Sequence, residues 1–356
     1  MENMEVINHK FWAGKKVFIT GHTGFKGGWL TLWLHSMGAK VTGYSLPAPT
    51  EPSFFEIVKL EELCHHKIGD IRDYSELQTA INEAKPEIVF HMAAQPLVRK
   101  SYRDPIETYS TNVMGTVHLL EAVKSCPSVK SCVVVTTDKC YENKEWTWGY
   151  RENDRLGGHD PYSNSKACAE LVTAAYYKSF IKENSSMGLA TVRAGNVIGG
   201  GDFAEDRLIP DVYRSILNGV EISIRYPHST RPWQHVLVPL SGYLALAEKL
   251  FVDHSKYSEP FNFGPKDEDC ISVGELITKT SFYWGKKLPV KLESNVQLHE
   301  AKFLKLDISK AESLLGWKPR WNVDKTIEET ANWYREFLSQ KNMREITLRQ
   351  IKHFEA

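Results

Sequence analysis

The sequence predicts an α/β fold with a doubly wound parallel sheet, and three observations lead to that class. Short apolar segments alternate with longer helix-like segments through the first half of the 356 residues, which is the pattern of repeated β-α-β units. A glycine-rich turn joins the first apolar segment to the first helix. Small and polar residues follow the apolar segments, where the ligands of such sheets collect. The sheet is therefore of the Rossmann type, and a smaller C-terminal α/β lobe follows it.

The first unit contains the glycine-rich turn. Lys16–Thr20 is a short strand that runs directly into a Gly-x-x-Gly-x-x-Gly turn at residues 21–27. A helix is predicted over 28–37 and is closed by Gly38, a common C-terminal stop. A strand, glycine turn and helix in this order let backbone amides approach a pyrophosphate at the positive end of a helix. The unit therefore predicts a dinucleotide site.

The remaining elements follow in chain order. Asp-Pro pairs at 104–105 and 160–161 supply an N-cap and a first helical residue for the two longest helices. We assign residues 1–195, together with 233–262, to the dinucleotide-binding domain, and 196–356 mainly to a substrate lobe. The tail at 344–356 is predicted to be a polar, peripheral helix. Further strands are predicted at 39–44, 66–70, 87–92, 132–137 and 189–194, and further helices at 74–84, 104–125 and 162–180.

Tyr162 and Lys166 form the first candidate reactive pair. They lie four residues apart on one predicted helix and so share a face. A nearby ammonium favours the phenolate form of a tyrosine, which can then deprotonate a sugar hydroxyl while hydride leaves the same carbon. Because a long helix can carry such a pair by chance, its meaning depends on the surrounding motifs.

Motifs along nearly the whole chain extend this picture. They lie at 21–27, 69–73, 91–96, 137–141, 160–166, 193–202, 231–236, 262–264 and 305–307. With them the chain resembles the extended branch of the short-chain dehydrogenase/reductase superfamily, and within it the sugar-nucleotide 4,6-dehydratases. The resemblance implies an NAD cofactor and a nucleotide-sugar substrate, CDP-glucose. It also implies a lyase that makes a 4-keto-6-deoxy sugar nucleotide for deoxysugar biosynthesis of the O-antigen type.

The resemblance further implies the roles of the catalytic residues. Tyr162, assisted by Lys166, removes the C4 hydroxyl proton as hydride passes to NAD+. Thr137 positions the C4 oxygen, and Asp138 supplies a proton to the departing C6 hydroxyl before hydride returns to C6. An acid that donates at neutral pH needs a raised pKa, which burial provides. Without these neighbours, Asp138 would be interpreted as an ordinary turn residue after a strand.

Lys139 departs from the better-known dTDP-glucose relatives, in which a glutamate takes the C5 proton. An ammonium cannot accept a proton, so Lys139 must be neutral for that step, a state that desolvation or nearby cations favour. The hypothesis is that Lys139 is the C5 base or positions it. The alternative is a solvated lysine in a loop.

The cofactor contacts implied by the resemblance surround the glycine turn and the strand ends. An acidic residue after the second strand commonly holds the adenosine ribose, but neither a carboxylate nor an arginine occurs there. NAD stays favoured, and its affinity stays open. Asn112 lies inside a helix, where polar residues usually face solvent, yet its family counterpart supports the active-site backbone. The predicted contacts are Gly21, Thr23, Gly24, Phe25, Lys26, Gly27, Asp70, Ile71, Ala93, Ala94, Gln95, Asn112, Thr136, Tyr162, Lys166 and Arg193.

Predicted substrate contacts lie mostly after the sixth strand. Arginine suits a diphosphate through its bidentate fork, although a single arginine is more often a surface charge. The preference for a base comes from the resemblance alone. The candidates are Gln95, Thr137, Asn196, Arg207, Arg231, His235, His299 and Phe303.

Composition argues against several classes of function. Lys plus Arg equals Asp plus Glu, at 44 each, so there is no electrostatic case for nucleic acid. Residues 1–10 are polar and no segment approaches the length of a membrane span, so a cytoplasmic location is expected. The six cysteines lack Cys-x-x-Cys spacing and the histidines lack a zinc-like pattern. Reduced thiols and no metal are therefore expected.

Other functions stay open. Another nucleotide-sugar dehydratase, or an epimerase or reductase, would keep the fold. The Asp138–Lys139 pair argues against the last two, because neither reaction expels the C6 hydroxyl. A non-enzymatic NAD sensor or scaffold is opposed by Thr137, Tyr162 and Lys166. The resemblance also implies a homodimer formed through the helices at 104–125 and 162–181, with a tetramer left open.

Overall fold

A parallel sheet forms the centre of the computed structural model, which describes residues 7–183, 186–292 and 303–356. Seven of the described strands form this sheet, and every neighbouring pair is parallel. The strands are β1 (Lys16–Thr20), β2 (Lys40–Ser45), β3 (His65–Ile68), β4 (Ile88–His91), β5 (Ser131–Val135), β6 (Gly188–Ala194), β7 (Val197–Ile198), β8 (Ile222–Ile224), β9 (Thr230–Pro232), β10 (Gln234–His235), β11 (Phe261–Phe263), β12 (Cys270–Ser272) and β13 (Val290–Leu292). The order in the sheet is β3-β2-β1-β4-β5-β6-β11. It reverses between β1 and β4, which opens a crevice at the carboxyl ends of the strands.

Helices cover both faces of the sheet. Alternate residues of β1 enter two separate hydrophobic clusters, with Val17 and Ile19 in one and Phe18 in the other. Burial on both faces is typical of parallel sheets. The helices are α1 (His9–Trp12), α2 (Phe25–Ser36), α3 (Phe54–Ile57), α4 (Tyr74–Ala84), α5 (Val98–Arg103), α6 (Pro105–Tyr109), α7 (Gly115–Lys124), α8 (Pro161–Tyr176), α9 (Leu208–Asn218), α10 (Leu237–Val252), α11 (His254–Tyr257), α12 (Val273–Trp284), α13 (Ser309–Leu315), α14 (Val323–Leu338) and α15 (Met343–Glu355).

The predicted fold class is confirmed, while several element boundaries shift. The helix predicted at 28–37 begins at Phe25, because Gly24 already serves as its extended N-cap. The strand predicted at 132–137 ends at Val135, and Asp138–Cys140 form a tight 3-10 turn. π-helical turns at Ser110–Met114 and Tyr177–Ile181 interrupt the two long predicted helices.

Residues after β6 contribute to both the sheet and the lobe. α10 packs against β5 and β6, and β11 pairs with β6 at the edge of the sheet. The pairs β8–β13 and β9–β12 belong to the lobe. The prediction of a peripheral polar tail is wrong, because α15 buries Ile351 and Phe354 and sets Phe354 edge-to-face against Trp33 of α2. Helical spacing puts its apolar residues on one face, and that face joins the core.

The described residues also bear on membrane and metal binding. Within these ranges no helix combines the length and apolarity needed to cross a membrane. The same residues contain no cluster of three or more His, Cys, Asp or Glu side chains able to hold a metal ion. All six cysteines lie in the described ranges and none is paired in a disulfide. The cytoplasmic location stays a prediction.

Candidate functional site

A cavity of about 1230 Å³ opens at the carboxyl ends of the strands. The turn after β1 and the segment after β4 meet at its floor. Gly21 has a φ of +80°, and a Cβ there would lie 2.7 Å from the Ala93 nitrogen. A Cβ on Gly27 would lie 2.2 Å from the Gly21 carbonyl oxygen. Glycine is therefore required at both positions, and the backbone of the turn stays accessible at the N-terminus of α2.

The part of the cavity beside the glycine turn fits a dinucleotide cofactor. The first turn of α2 carries no acidic residue that would repel a pyrophosphate. At the end of β2, where a carboxylate is common, the Thr23 and Ser45 hydroxyl oxygens lie 2.8 Å apart. Asp70 lines the adjoining wall, and its ion pair with Arg72 spans 2.5 Å. A ribose placed there would meet hydroxyl groups instead of a free carboxylate.

Most of the predicted cofactor residues line this cavity, but Asn112 and Arg193 do not, and the Gln95 side chain is used within the protein. The Gln95 side-chain amide donates to Thr108 Oγ1 at 2.9 Å. Asn112 lies behind the wall, where Oδ1 accepts from the Gln95 backbone at 2.8 Å and Nδ2 donates to Ser165. Arg193 is buried against Glu170. Asn112 and Arg193 are therefore placed as supports and not as cofactor contacts. The lining residues are Gly21, Thr23, Gly24, Phe25, Lys26, Gly27, Asp70, Ile71, Ala93, Ala94, Gln95, Thr136, Tyr162 and Lys166.

Tyr162 and Lys166 line the cavity from the first two turns of α8. Burial raises the pKa of Tyr162 to about 12, and a hydrogen bond from Thr137 and the charge of Arg207 oppose that rise. Burial lowers the pKa of Lys166 to about 8, and its Nζ donates to the Val135 carbonyl at 3.1 Å. The net effect of the tyrosine's surroundings in the protein is therefore to raise its pKa. Burial outweighs the effect of the protein's own cations.

Asp138 is a buried acid beside this pair. Its Oδ1 accepts a hydrogen bond from Thr137 Oγ1 at 3.0 Å, while Oδ2 has no hydrogen-bond partner among the described residues. Burial raises the pKa of Asp138, and Lys139 and the Thr137 hydrogen bond oppose the rise only in part. This agrees with the raised pKa that a proton donor requires. Half-buried Lys139 follows in the same 3-10 turn and also lines the cavity.

Further cationic side chains line the cavity. Asn196, Arg207 and buried Arg231 line it, as predicted substrate contacts should. Sequence reasoning missed four more lining arginines, among them Arg99 and Arg225. Asp206 lies between them, 3.0 Å from Arg99 and 3.7 Å from Arg225. The position of Arg99 shortly after β4 was a usable signal, because ligands collect past strand ends.

Three predicted substrate residues lie elsewhere. His235 is completely buried, with its ring packed edge-to-face against Trp29 and Trp321, and it does not line the cavity. Its expected substrate contact is corrected to a core position. Phe303 is beside the wall, where its carbonyl accepts from Asn143 at 2.9 Å and its neighbour Leu304 lines the cavity. His299 lies outside the described residues.

The chain is similar to known proteins along most of its length. The family model described as GDP-mannose 4,6 dehydratase matches residues 18–330. The chain is 55% identical over 353 residues to the CDP-glucose 4,6-dehydratase of Salmonella typhimurium, covering 98% of each. It is 27% identical over 336 residues to a dTDP-glucose 4,6-dehydratase of Xanthomonas campestris, covering 89% of this chain and 92% of that protein.

Solved structures share the fold at lower identity. The UDP-glucose 4-epimerase of Thermotoga maritima superposes with a TM-score of 0.80 at 21% identity, covering 90% of this chain and 99% of that one. A DesIV double mutant, a dTDP-glucose 4,6-dehydratase from Streptomyces venezuelae with NAD bound, gives a TM-score of 0.78 at 22% identity. That comparison covers 92% of this chain and 99% of the other.

Proposed function

Because the chain belongs to the GDP-mannose 4,6-dehydratase family, as its motifs predicted, we propose that it converts CDP-glucose to CDP-4-dehydro-6-deoxy-glucose and water with NAD as cofactor. The 55% identity to a CDP-glucose 4,6-dehydratase over nearly the whole chain supports this substrate. The observation that carries the reaction type is Asp138, a buried acid with a raised pKa in the same cavity as Tyr162 and Lys166. An epimerase or reductase has no use for this acid, because neither reaction expels the C6 hydroxyl.

In this proposal, each catalytic side chain carries out or supports one proton transfer. The residues beside the glycine turn would hold NAD, which would supply a hydride acceptor for C4, a hydride donor for C6 and a positive charge that would favour the Tyr162 phenolate. Tyr162 takes the C4 hydroxyl proton, and the Thr137 hydroxyl holds the C4 oxygen. Asp138 gives its proton to the C6 hydroxyl, which leaves as water. Lys166 holds the end of β5 through the Val135 carbonyl and keeps a cationic donor in this wall.

Lys139 takes the C5 proton in this proposal. Its support is its place next to Asp138 in the turn at the reacting end of the cavity. Lys139→Ala is expected to slow C5 exchange with deuterated solvent about a hundredfold, since a positioned base contributes at least that much. Exchange and water loss at the normal rate in the variant would assign the base to another group.

The reaction is tested with a panel of glucose nucleotides, each incubated with and without added NAD. Mass spectrometry of the products separates the candidate functions, because dehydration removes the mass of one water and epimerisation leaves the mass unchanged. We expect water loss with CDP-glucose and slower turnover with dTDP-, UDP- and GDP-glucose. If none of the four glucose nucleotides is converted, the result would favour a non-enzymatic role.

A homodimer through helices α6–α7 and α8 is part of the proposal. These helices expose large apolar side chains, Ile106 at 82% and Leu171 at 59%, and the adjoining π-helical turns expose Met114 and Phe180. Such a surface is typical of a helical interface. Ile106→Glu combined with Leu171→Glu is expected to give a monomer in light scattering. Val252→Glu, at an equally exposed apolar site on α10, is the matched control and should stay dimeric.

A further inference from the structure

A buried hydrogen-bond network lies directly behind the reacting end of the cavity, and Glu170 is at its centre. Glu170 is one turn beyond Lys166 on α8 and only 4% exposed. Its Oε1 accepts from Thr136 Oγ1 at 2.5 Å and from Arg193 Nε at 2.9 Å. Its Oε2 accepts from Thr191 Oγ1 at 2.6 Å and from Arg193 Nη2 at 2.8 Å. Both charges are therefore buried with good partners, which makes the unit stiff.

Arg193 extends the network to Tyr141. Its Nη1 donates to the Tyr141 hydroxyl at 2.7 Å, and that hydroxyl donates to Asn262 Oδ1 at 2.8 Å. The Asn262 amide nitrogen in turn donates to the Tyr150 carbonyl at 2.8 Å. The Tyr141 hydroxyl is thus used once as an acceptor and once as a donor. One continuous set of bonds links α8, β6, β11 and the segment that follows β5.

The network holds the residues on both sides of the turn Thr137–Cys140, which carries the reacting groups. We call these two flanking residues, Thr136 and Tyr141, the anchors of the turn. Thr136 lies immediately before Thr137–Cys140 and Tyr141 lies immediately after, and both are bonded through Glu170 or Arg193. Neither Glu170 nor Arg193 lines the cavity, so they act through the turn and not on a ligand. Tyr141 does line the cavity, but its hydroxyl is bonded to Arg193 and Asn262. Asp138 and Lys139, which lie between the two anchors, have no side-chain bond of this kind to α8 among the described contacts.

We propose that Glu170, Arg193 and Tyr141 are positioning residues for the elimination step, holding Asp138 and Lys139 in register with C6 and C5. This assignment rests on the proposed dehydratase function. Elimination needs two groups of the turn at once, Asp138 and Lys139, whereas oxidation at C4 uses only Thr137 of the turn together with Tyr162 and Lys166 on α8. A small displacement of the turn should therefore slow elimination more than oxidation. A merely structural network would lower stability and weaken every step alike.

Tyr141→Phe tests the assignment, because it removes one hydroxyl and keeps the ring. We expect elimination to slow about tenfold, the size of one lost buried hydrogen bond, and C4 oxidation to slow clearly less. Reduced nicotinamide should then accumulate in the steady state and be visible by its near-ultraviolet absorbance. Calorimetric affinities for NAD and CDP should match those of the unchanged protein. Tyr334→Phe is the matched control, because it also loses a buried hydroxyl bond, to the Asp202 carbonyl, away from the turn. It should show no accumulation.

Equal slowing of both steps in Tyr141→Phe, or accumulation in Tyr334→Phe as well, would overturn the assignment. If Tyr141→Phe does not fold, Thr136→Val tests the same assignment at the other anchor of the turn. Reduced nicotinamide is expected to accumulate in Thr136→Val. It should not accumulate in Thr136→Ser, which keeps the hydroxyl. Turnover of CDP-glucose by the unchanged protein without accumulation in either variant refutes the positioning role alone. Absence of turnover by the unchanged protein refutes the proposed function, and the positioning role with it.

Discussion

The two ends of the cavity hold their charges in different ways. At the reacting end Lys166 and Asp138 are buried and Tyr162 is half-buried, and desolvation is the largest influence on each pKa. We call the part of the cavity wall formed by Arg99, Asp206 and Arg225 the mouth. These side chains are 28% to 38% exposed, and Asp206 pairs with both arginines in partial contact with solvent. Water screens the charges at the mouth more strongly than the charges at the reacting end. Proton transfer is therefore governed by desolvation, whereas Arg99 and Arg225 contribute charge that stays in contact with solvent.

Tyr162→Phe is expected to have the largest effect, because it removes the base at the buried end. Turnover of CDP-glucose should fall about a thousandfold, the range of a positioned general base. The thermal unfolding temperature, measured in parallel, should change little, since the ring that fills the site remains. Turnover above a tenth of the original rate would show that another group takes the C4 proton.

Asp138→Asn should have the next largest effect. The amide keeps the shape of the side chain and cannot donate the proton that the C6 hydroxyl needs, so water loss should fall about a hundredfold. Rapid-quench mass spectrometry of the sugar nucleotide measures that step directly. Because burial raises the pKa of Asp138, the unchanged protein should also lose activity as the pH rises and the acid ionises. The variant should lack this alkaline limb, and an unchanged pH profile would assign the acid elsewhere.

His235 extends the comparison to a residue that was expected at the site and lies in the core. Burial lowers its pKa from 6.5 to about 3, so between these values the unfolded chain binds a proton that the folded chain does not. Stability is therefore present above pH 6.5 and is lost as the pH falls toward 3. At about pH 5 the loss is ~2 kcal/mol, from about 1.5 pH units at ~1.4 kcal/mol each.

His235→Gln should remove that part of the pH dependence. The difference in the free energy of unfolding between about pH 7 and pH 5, measured in urea, should shrink by ~2 kcal/mol. His91 and His22, whose pKa values burial also lowers to about 3, should keep their own parts of the slope. An unaltered slope would mean that His235 is already charged or solvated in the folded protein.

Arg99→Ala should have the smallest effect, because it tests the solvent-exposed end. KM for CDP-glucose is expected to rise about threefold with kcat unchanged, and the difference should shrink as salt is added. Arg103→Ala, on the same helix but outside the cavity wall, is the matched control. A fall in kcat in Arg99→Ala would place this arginine near the reacting atoms and remove the contrast between the two ends.

Elements with strong local patterns were predicted well. The β-branched run in β5 and the Asp-Pro start of α8 identify those elements without any distant partner. β11 was missed, because Phe261–Phe263 is only three residues long and is a strand through its pairing with β6. At the site, Tyr162 and Lys166 were predictable from helical spacing. The role of Arg193 was not, because its carboxylate partner lies 23 residues earlier in the chain, on a different element.

By itself, the sequence determined the kind of chemistry available: a glycine turn for a pyrophosphate, a Tyr–Lys pair on one helix and an acid after a strand. Those features depend on residue type and short spacing, which the chain carries locally. The tertiary structure alone decided which groups are buried, and so the proton affinity of Asp138 and Lys166, and it moved His235 to the core. Burial and long-range pairing are properties of packing, and no local segment specifies them.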